Sequence, residues 1–191
     1  MLIQAGFSAD AALVANISTG VFSVVGGIIA LYNMDRLNRR TTFVIGLSLT
    51  TTCHLLIGVL SIVLPEGNPI RPYALLFLVV AFVFSMQTFL NIAVWVWLAE
   101  VFPLHMRGLG IGISVFFGWF TNGMLALFFP SLVDGIGITG AFFMFAVIGL
   151  CALVFVITQV PETRGITLEK LEEDVTSGRA YTFSKNPFAR A

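Results

Sequence analysis

Residues 72–99 read PYALLFLVVAFVFSMQTFLNIAVWVWLA, twenty-eight consecutive positions without Asp, Glu, Lys or Arg. About 20 predominantly apolar residues suffice to cross a hydrocarbon core of about 30 Å as an α-helix. The run is too long for a strand and shows no alternation of period two. A helix also satisfies its own backbone N–H and C=O groups, which is what lipid demands of any crossing segment. Working outward from this stretch, residues 11–33, 41–65, 108–133 and 135–161 are equally free of charge. The sequence therefore predicts an all-α polytopic membrane protein with five transmembrane helices, at about 11–33, 41–64, 73–99, 108–132 and 138–160. These form a membrane domain over 11–162, with an extracytoplasmic start at 1–10 and a cytoplasmic tail at 163–191.

Composition agrees with this reading. Of 191 residues, 58% are apolar and 10% charged, and the mean hydropathy is +0.97. A soluble domain carries charge on about 25% of its positions, so a soluble globular enzyme is excluded, and a disordered chain with it. Net charge is zero, which leaves no basic field for nucleic acid. Cys53 and Cys151 sit inside apolar runs and read as small hydrophobes rather than a disulfide or a metal pair. No span supplies paired carboxylates, a spaced histidine pair or a nucleophile beside a base. Thus no catalytic residue, metal or cofactor is expected, and the lipid bilayer is the first partner. His54, with no carboxylate on its helix, reads as a packing residue, and His105 as solvated.

The loops fix an orientation. Arg36, Arg39 and Arg40 fall in the first, Arg107 in the third, and Arg164, Lys170, Arg179, Lys185 and Arg190 follow the last span, against Arg71 alone on the other side. Lys and Arg collect on the cytoplasmic side, so the carboxy terminus is expected there, in a multi-pass protein of the plasma (cell inner) membrane. The amino terminus then faces outward, although residues 1–10 carry no export signal. An odd number of spans with that start reads as the end of a longer protein.

Within the spans, small and polar residues fall in rows. Gly110, Ser114, Gly118 and Asn122 recur every four positions, as do Gln87, Asn91 and Trp95, while Asn16, Thr19 and Ser23 share one stripe of the first helix. Interhelical hydrogen bonding accounts for any one stripe as well as a function does. Together they suit a polar wall for an uncharged, hydroxyl-rich solute: amides donate to and accept from hydroxyls, and the Trp95 and Trp119 rings offer flat apolar faces.

Three charged segments are more specific. Asp35-Arg36-Leu37-Asn38-Arg39-Arg40 follows the first span. Trp95 opens a run with Glu100, Pro103, Arg107 and Gly108 at offsets 5, 8, 12 and 13. Pro161-Glu162-Thr163-Arg164-Gly165 follows the last span. In this order and spacing they resemble the sugar porter family of the major facilitator superfamily, over essentially the whole chain to about Asp174. The resemblance implies a partial carboxy-terminal bundle matching helices eight to twelve of twelve. The chain is then the carboxy-terminal part of a secondary transporter working by alternating access, inactive alone, whose amino-terminal half is a missing partner. A non-transporting assembly subunit or truncated gene product is the alternative. The resemblance also implies a small neutral sugar or polyol as solute. It places Trp95 below the sugar, with Trp119 and Asn122 lining the cavity. Ser23 replaces a sugar-contacting Asn, and Asn91-Ile92 replaces the usual Gly-Pro break. The coupling carboxylate of proton-linked members has no counterpart in these residues. Finally, Asp35, Arg36, Arg39, Arg40, Glu100, Arg107, Glu162 and Arg164 gather at cytoplasmic helix ends; anchoring at the membrane surface accounts for the arginines, whereas Glu100 and Glu162 favour a latch of opposite signs that closes that side. Thr167–Asp174 is expected to pack as a short amphipathic turn on the inner surface.

Overall fold

The computed structural model describes residues 9–34, 36–64, 68–160 and 162–164, with side chains described from Asn16 onward. Asp35, Pro161 and the 167–174 turn lie outside these residues. Among the described residues the chain is helical without strands: α1 (Ala9–Met34), α2 (Arg39–Val63), α3 (Arg71–Ser85), a π-helical turn (Met86–Asn91), α4 (Ile92–Val101) and α5 (Arg107–Gln159).

Prolines set several of the helix ends. The residue before a proline is driven out of the α region by the pyrrolidine ring. Accordingly Leu64 (φ −96°, ψ 109°), Phe102 (φ −88°, ψ 134°) and Val160 (φ −83°, ψ 117°) are all extended, and each precedes a Pro in sequence. Pro72 instead sits in the first turn of α3, where its missing N–H costs nothing.

Among the described residues four helices are long and apolar enough to cross a membrane: 16–34, 39–63, the α3–π–α4 rod 71–101, and 107–159. The last covers 53 residues, about 80 Å of continuous helix at 1.5 Å per residue, far more than one bilayer crossing. It is interrupted at Gly137, whose φ of 72° and ψ of 164° are non-helical. A side chain there would be strained by its own Cβ, which is why glycine occupies the position. Gly137 divides α5 into arms 107–136 and 138–159, about 45 Å and 33 Å long. The expected spans 108–132 and 138–160 leave 133–137 between them, and Gly137 lies in that interval.

The α3–π–α4 rod lies between α1 and α2, and the second arm of α5 packs on the far side of α2. Close approach there is permitted by missing side chains. A Cβ on Gly149 would fall 2.4 Å from Thr51 Oγ1, and one on Gly58 3.0 Å from the Phe143 ring. His54 of α2 lies beside three rings, Phe82 at 4.6 Å, Phe145 at 5.7 Å and Phe142 at 6.2 Å between centroids, and so packs among aromatics from two neighbouring helices. A buried apolar cluster joins Phe43, Ala93, Val156 and Val160, with Trp97 edge-on to Phe43 at 6.1 Å. It sits at the arginine-rich end. Elsewhere large apolar side chains such as Ile28, Phe77 and Phe155 are exposed, a surface compatible with lipid rather than water.

The first arm of α5 meets the second beside the Gly137 break, where Phe129 stacks on Phe145 at 6.2 Å between centroids. Gly110 abuts the Phe102 ring, and Ser114 Oγ donates to the Gly110 carbonyl at 2.9 Å, but a Cβ on Gly118 would meet nothing within 4 Å. The four-residue row of that arm is thus a contact only at its first member.

Candidate functional site

Two polar constellations stand out among the described residues, one midway along the α3–π–α4 rod and one at the arginine-rich end.

The first begins with the π-helical turn. Asn91-Ile92 removes the Gly-Pro pair expected to break the helix, yet the backbone still departs from α geometry over Met86–Asn91. Single π turns inside α-helices rotate the residues on either side and recur at functional positions. Here the turn contains both Gln87 and Asn91. Gln87 Nε2 donates to Ser23 Oγ of α1 at 2.8 Å, and Asn91 Nδ2 donates to Gln87 Oε1 at 2.9 Å. A directed chain of neutral hydrogen bonds therefore runs Asn91 → Gln87 → Ser23. Gln87 is half-buried with both amide atoms engaged, whereas Asn91 is exposed. Trp95, one turn further along, is 50% exposed.

Gly26 makes this arrangement possible. A Cβ at that position would lie 3.0 Å from Thr88 Oγ1 and 3.1 Å from the Phe84 carbonyl oxygen. The bare backbone of α1 thus presses against the π turn, one helical turn from Ser23. The Thr88 hydroxyl, buried in the contact, has no hydrogen-bond partner among the described residues. Thr88 and Gly26 carry no signal in the sequence that would single them out.

Trp119 and Asn122 are not joined to this chain. Both lie exposed on the first arm of α5, Trp119 by 68%. Among the described residues no hydrogen bond connects them to Ser23, Gln87 or Asn91.

The second constellation is ionic. Arg39 grips Glu100 with two parallel bonds, Nη2 to Oε1 at 2.9 Å and Nε to Oε2 at 3.3 Å, and its Nη1 also reaches the Met34 carbonyl. This is the paired geometry in which a guanidinium and a carboxylate bind most specifically, and it is shielded, with side-chain exposures of 11% and 24%. Thr163 Oγ1 donates to the same Glu100 Oε2 at 2.5 Å. Glu162 reaches across to the start of α2, where Oε1 accepts from the Arg39 N–H at 2.9 Å and Oε2 from the Arg40 N–H at 3.0 Å. The first N–H groups of a helix lack intrahelical partners, and Asn38, at the N-cap position, makes no side-chain cap. A carboxylate from the far end of the chain caps α2 instead, in the place the helix dipole favours. Arg164 closes the ring by donating to the Arg36 carbonyl and, at 3.4 Å, to Asn38 Oδ1.

The remaining cations of the expected latch are placed otherwise. Arg36 stacks over the Tyr32 ring at 4.1 Å, and Arg40 Nη2 donates to the Ile157 carbonyl near the end of α5. Arg107 Nε and Nη2 are buried without a hydrogen-bond partner among the described residues. Thr163 and Asn38 lie inside the charged motifs, but nothing local in the sequence marks them as partners of Glu100 and Arg164.

Comparison with known proteins gives consistent matches. A family profile described as Sugar (and other) transporter matches residues 1–175. The major myo-inositol transporter IolT of Bacillus subtilis is 42% identical over 184 residues, 96% of this chain and 38% of that protein. The arabinose-proton symporter of the same organism is 30% identical over 168 residues, 88% of this chain and 35% of that protein. Among solved structures, the inward-open xylose transporter XylE from E. coli aligns with a TM-score of 0.74 at 26% identity, covering 83% of this chain and 35% of XylE. The chain thus spans a little over a third of the length of these relatives.

Proposed function

Because this chain belongs to the sugar porter family of the major facilitator superfamily, we propose that it forms one wall of a secondary transporter for a small neutral sugar or cyclitol. The relatives carry myo-inositol, arabinose and xylose by name, and the chemistry of the candidate wall suits such solutes. The observation that carries the reading is the Asn91 → Gln87 → Ser23 chain, which begins at an exposed carboxamide one turn from an exposed indole. Amides match hydroxyls in both directions without a charge to neutralise, and the Trp95 ring suits the C–H face of a polyol. A charge at this depth would be costly, so neutral recognition fits the setting.

In this reading two arms of α5 on either side of Gly137 make separate crossings, giving five in all, and Trp119 and Asn122 join the wall from the first arm. A second helical bundle supplies the opposite wall, and solute is exposed alternately to each side as the two bundles rock. The arginine-rich end faces the cytoplasm, following the positive-inside pattern. There Arg39, Glu100, Glu162, Thr163 and Arg164 tie α1, α2, α4 and the segment after α5 together, and this cluster is the latch of the outward-open state. A ligand or latch shifts populations only by what it contributes differently to the two states.

The test is uptake of labelled hexoses, pentoses and inositols by cells making the chain, with and without a co-produced amino-terminal bundle from a relative. Saturable uptake of a neutral polyol, competed by other polyols and not by organic anions, is expected with the second bundle present. Uptake indistinguishable from control cells under both conditions would overturn the reading.

A further inference from the structure

Resting on the site proposed above, we infer that Gln87 is a positioning residue: held to Ser23 across the α1–π-turn contact, it fixes the Asn91 carboxamide so that Oδ1 meets the solute as an acceptor. The polarity follows from the bonds. Gln87 Nε2 is the donor to Ser23 Oγ at 2.8 Å, so Oε1 is left to accept, and it takes Asn91 Nδ2 at 2.9 Å. An amide that donates on one side presents its carbonyl on the other. Asn91, exposed where Gln87 is half-buried, therefore turns Oδ1 to the open side of the turn. Gln87 itself has both amide atoms engaged and acts through Asn91.

The anchor is set by backbone packing. Gly26 lets α1 approach to where a Cβ would stand 3.2 Å from Gln87 Cβ and 3.0 Å from Thr88 Oγ1, and Ser23, three residues earlier, shares that face. Ser23 stands at the receiving end of the chain. The wall thus offers an acceptor at Asn91, and a solute must bring a hydroxyl proton to it.

Fluorine in place of a hydroxyl accepts weakly and cannot donate, so it reports this polarity. Uptake of a set of monodeoxyfluoro sugars or inositols, one position at a time, is compared between the wild-type transporter and Gln87→Met. In the wild type, one position should raise KM roughly tenfold when fluorinated, as expected for an acceptor that the bound solute covers and leaves unpaired. In Gln87→Met the Asn91 amide is free to turn over and offer Nδ2–H. The fluorine penalty at that position should then fall to threefold or less. Ser23→Ala, which removes only the anchoring oxygen, should give an intermediate ratio and carries the same readout should Gln87→Met fail to reach the membrane. A general loss of packing would lower rate or abundance without altering the ratio between hydroxyl and fluorine. An unchanged ratio in both variants, or no fluorine-sensitive position in a wild type that transports polyols, overturns the role of Gln87 alone. A wild type that carries no neutral polyol overturns the site reading, and this inference falls with it.

Discussion

The arginine-rich end and the middle of the α3–π–α4 rod solve one problem with different chemistry. Each must hold together segments far apart in the chain, and each does so with side-chain hydrogen bonds. At the end the bonds are charge-assisted and converge: Glu100 binds Arg39 and Thr163, and Glu162 caps α2 from 123 positions away. In the middle there are two neutral bonds in series. The difference follows from depth. A charge at the bilayer centre costs at least about 2.5 kcal/mol, whereas at the interface water shares the load. Strong, directional cohesion therefore concentrates at one end, and the middle keeps weak bonds that a solute's hydroxyls can complement. In the transporter proposed above, that division would let one end stay closed while the centre adapts.

The largest expected effect comes from making the end resemble the middle. Glu100→Gln replaces an ionised partner of Arg39 by a neutral one in a site only 11% and 24% exposed. Loss of a shielded charge pair should cost about 2 kcal/mol, or roughly a thirtyfold shift between states in which the cluster is intact and broken. Cysteine-accessibility labelling from each side of the membrane, on the assembled transporter, should show access from the cytoplasmic side rising. Unchanged labelling would remove the functional contrast between the two regions.

Glu162→Ala tests the same end through the backbone. It strips the cap from the Arg39 and Arg40 N–H groups, and cap removal typically costs about 1 kcal/mol. A lower melting temperature of the purified protein is expected, with Glu162→Gln, whose carbonyl can accept one of the two bonds, falling between. Identical melting of Glu162→Ala and wild type would show that α2 draws nothing from this carboxylate.

What the sequence reveals divides along the same line. Charge gaps mark helices because charge is excluded from lipid, and the four-residue spacing of Gln87, Asn91 and Trp95 marks a face. Both are local signals. The partner of Gln87 lies 64 positions away and depends on Gly26, one of many glycines in the chain. The π turn over Met86–Asn91 contains neither Gly nor Pro, so no local rule announces it; it arises where α1 presses on the rod. At the end, the charged residues were legible as a group, but their pairing was not. Glu162 meets backbone N–H groups rather than a guanidinium, Arg36 meets a ring, and Arg107 has two buried nitrogens without partners among the described residues. Charge in a sequence shows where ions gather, while geometry decides whom each one meets.

Smaller effects sharpen the middle. Gly26→Ala places a methyl 3.0 Å from Thr88 Oγ1 and 3.1 Å from the Phe84 carbonyl, so α1 must retreat by a few tenths of an ångström. The Ser23–Gln87 bond then lengthens. Interhelical bonds of this kind average about 0.6 kcal/mol, so KM should rise roughly threefold with little change in abundance. Gly20→Ala is the control on the same helix, since a Cβ there meets nothing within 4 Å. Equal behaviour of the two variants would mean that the close approach does not set the polar chain.

The smallest effect belongs to an arginine that the charged motif groups with the latch but the geometry sets aside. Arg36 lies over Tyr32 at 4.1 Å, both on the exposed side of the α1 end. An exposed cation–π contact contributes about 0.5–1 kcal/mol, and Tyr32→Leu should lower stability by no more than that. Because this pair bridges neither α2 nor α4 through its side chains, the substitution should leave two-sided labelling at the wild-type level even as melting shifts slightly. If Tyr32→Leu instead opened the cytoplasmic side as Glu100→Gln does, the end would be one cooperative network rather than a ring around Glu100 and Glu162. The contrast with the middle would then rest on the number of coupled groups and no longer on their charge.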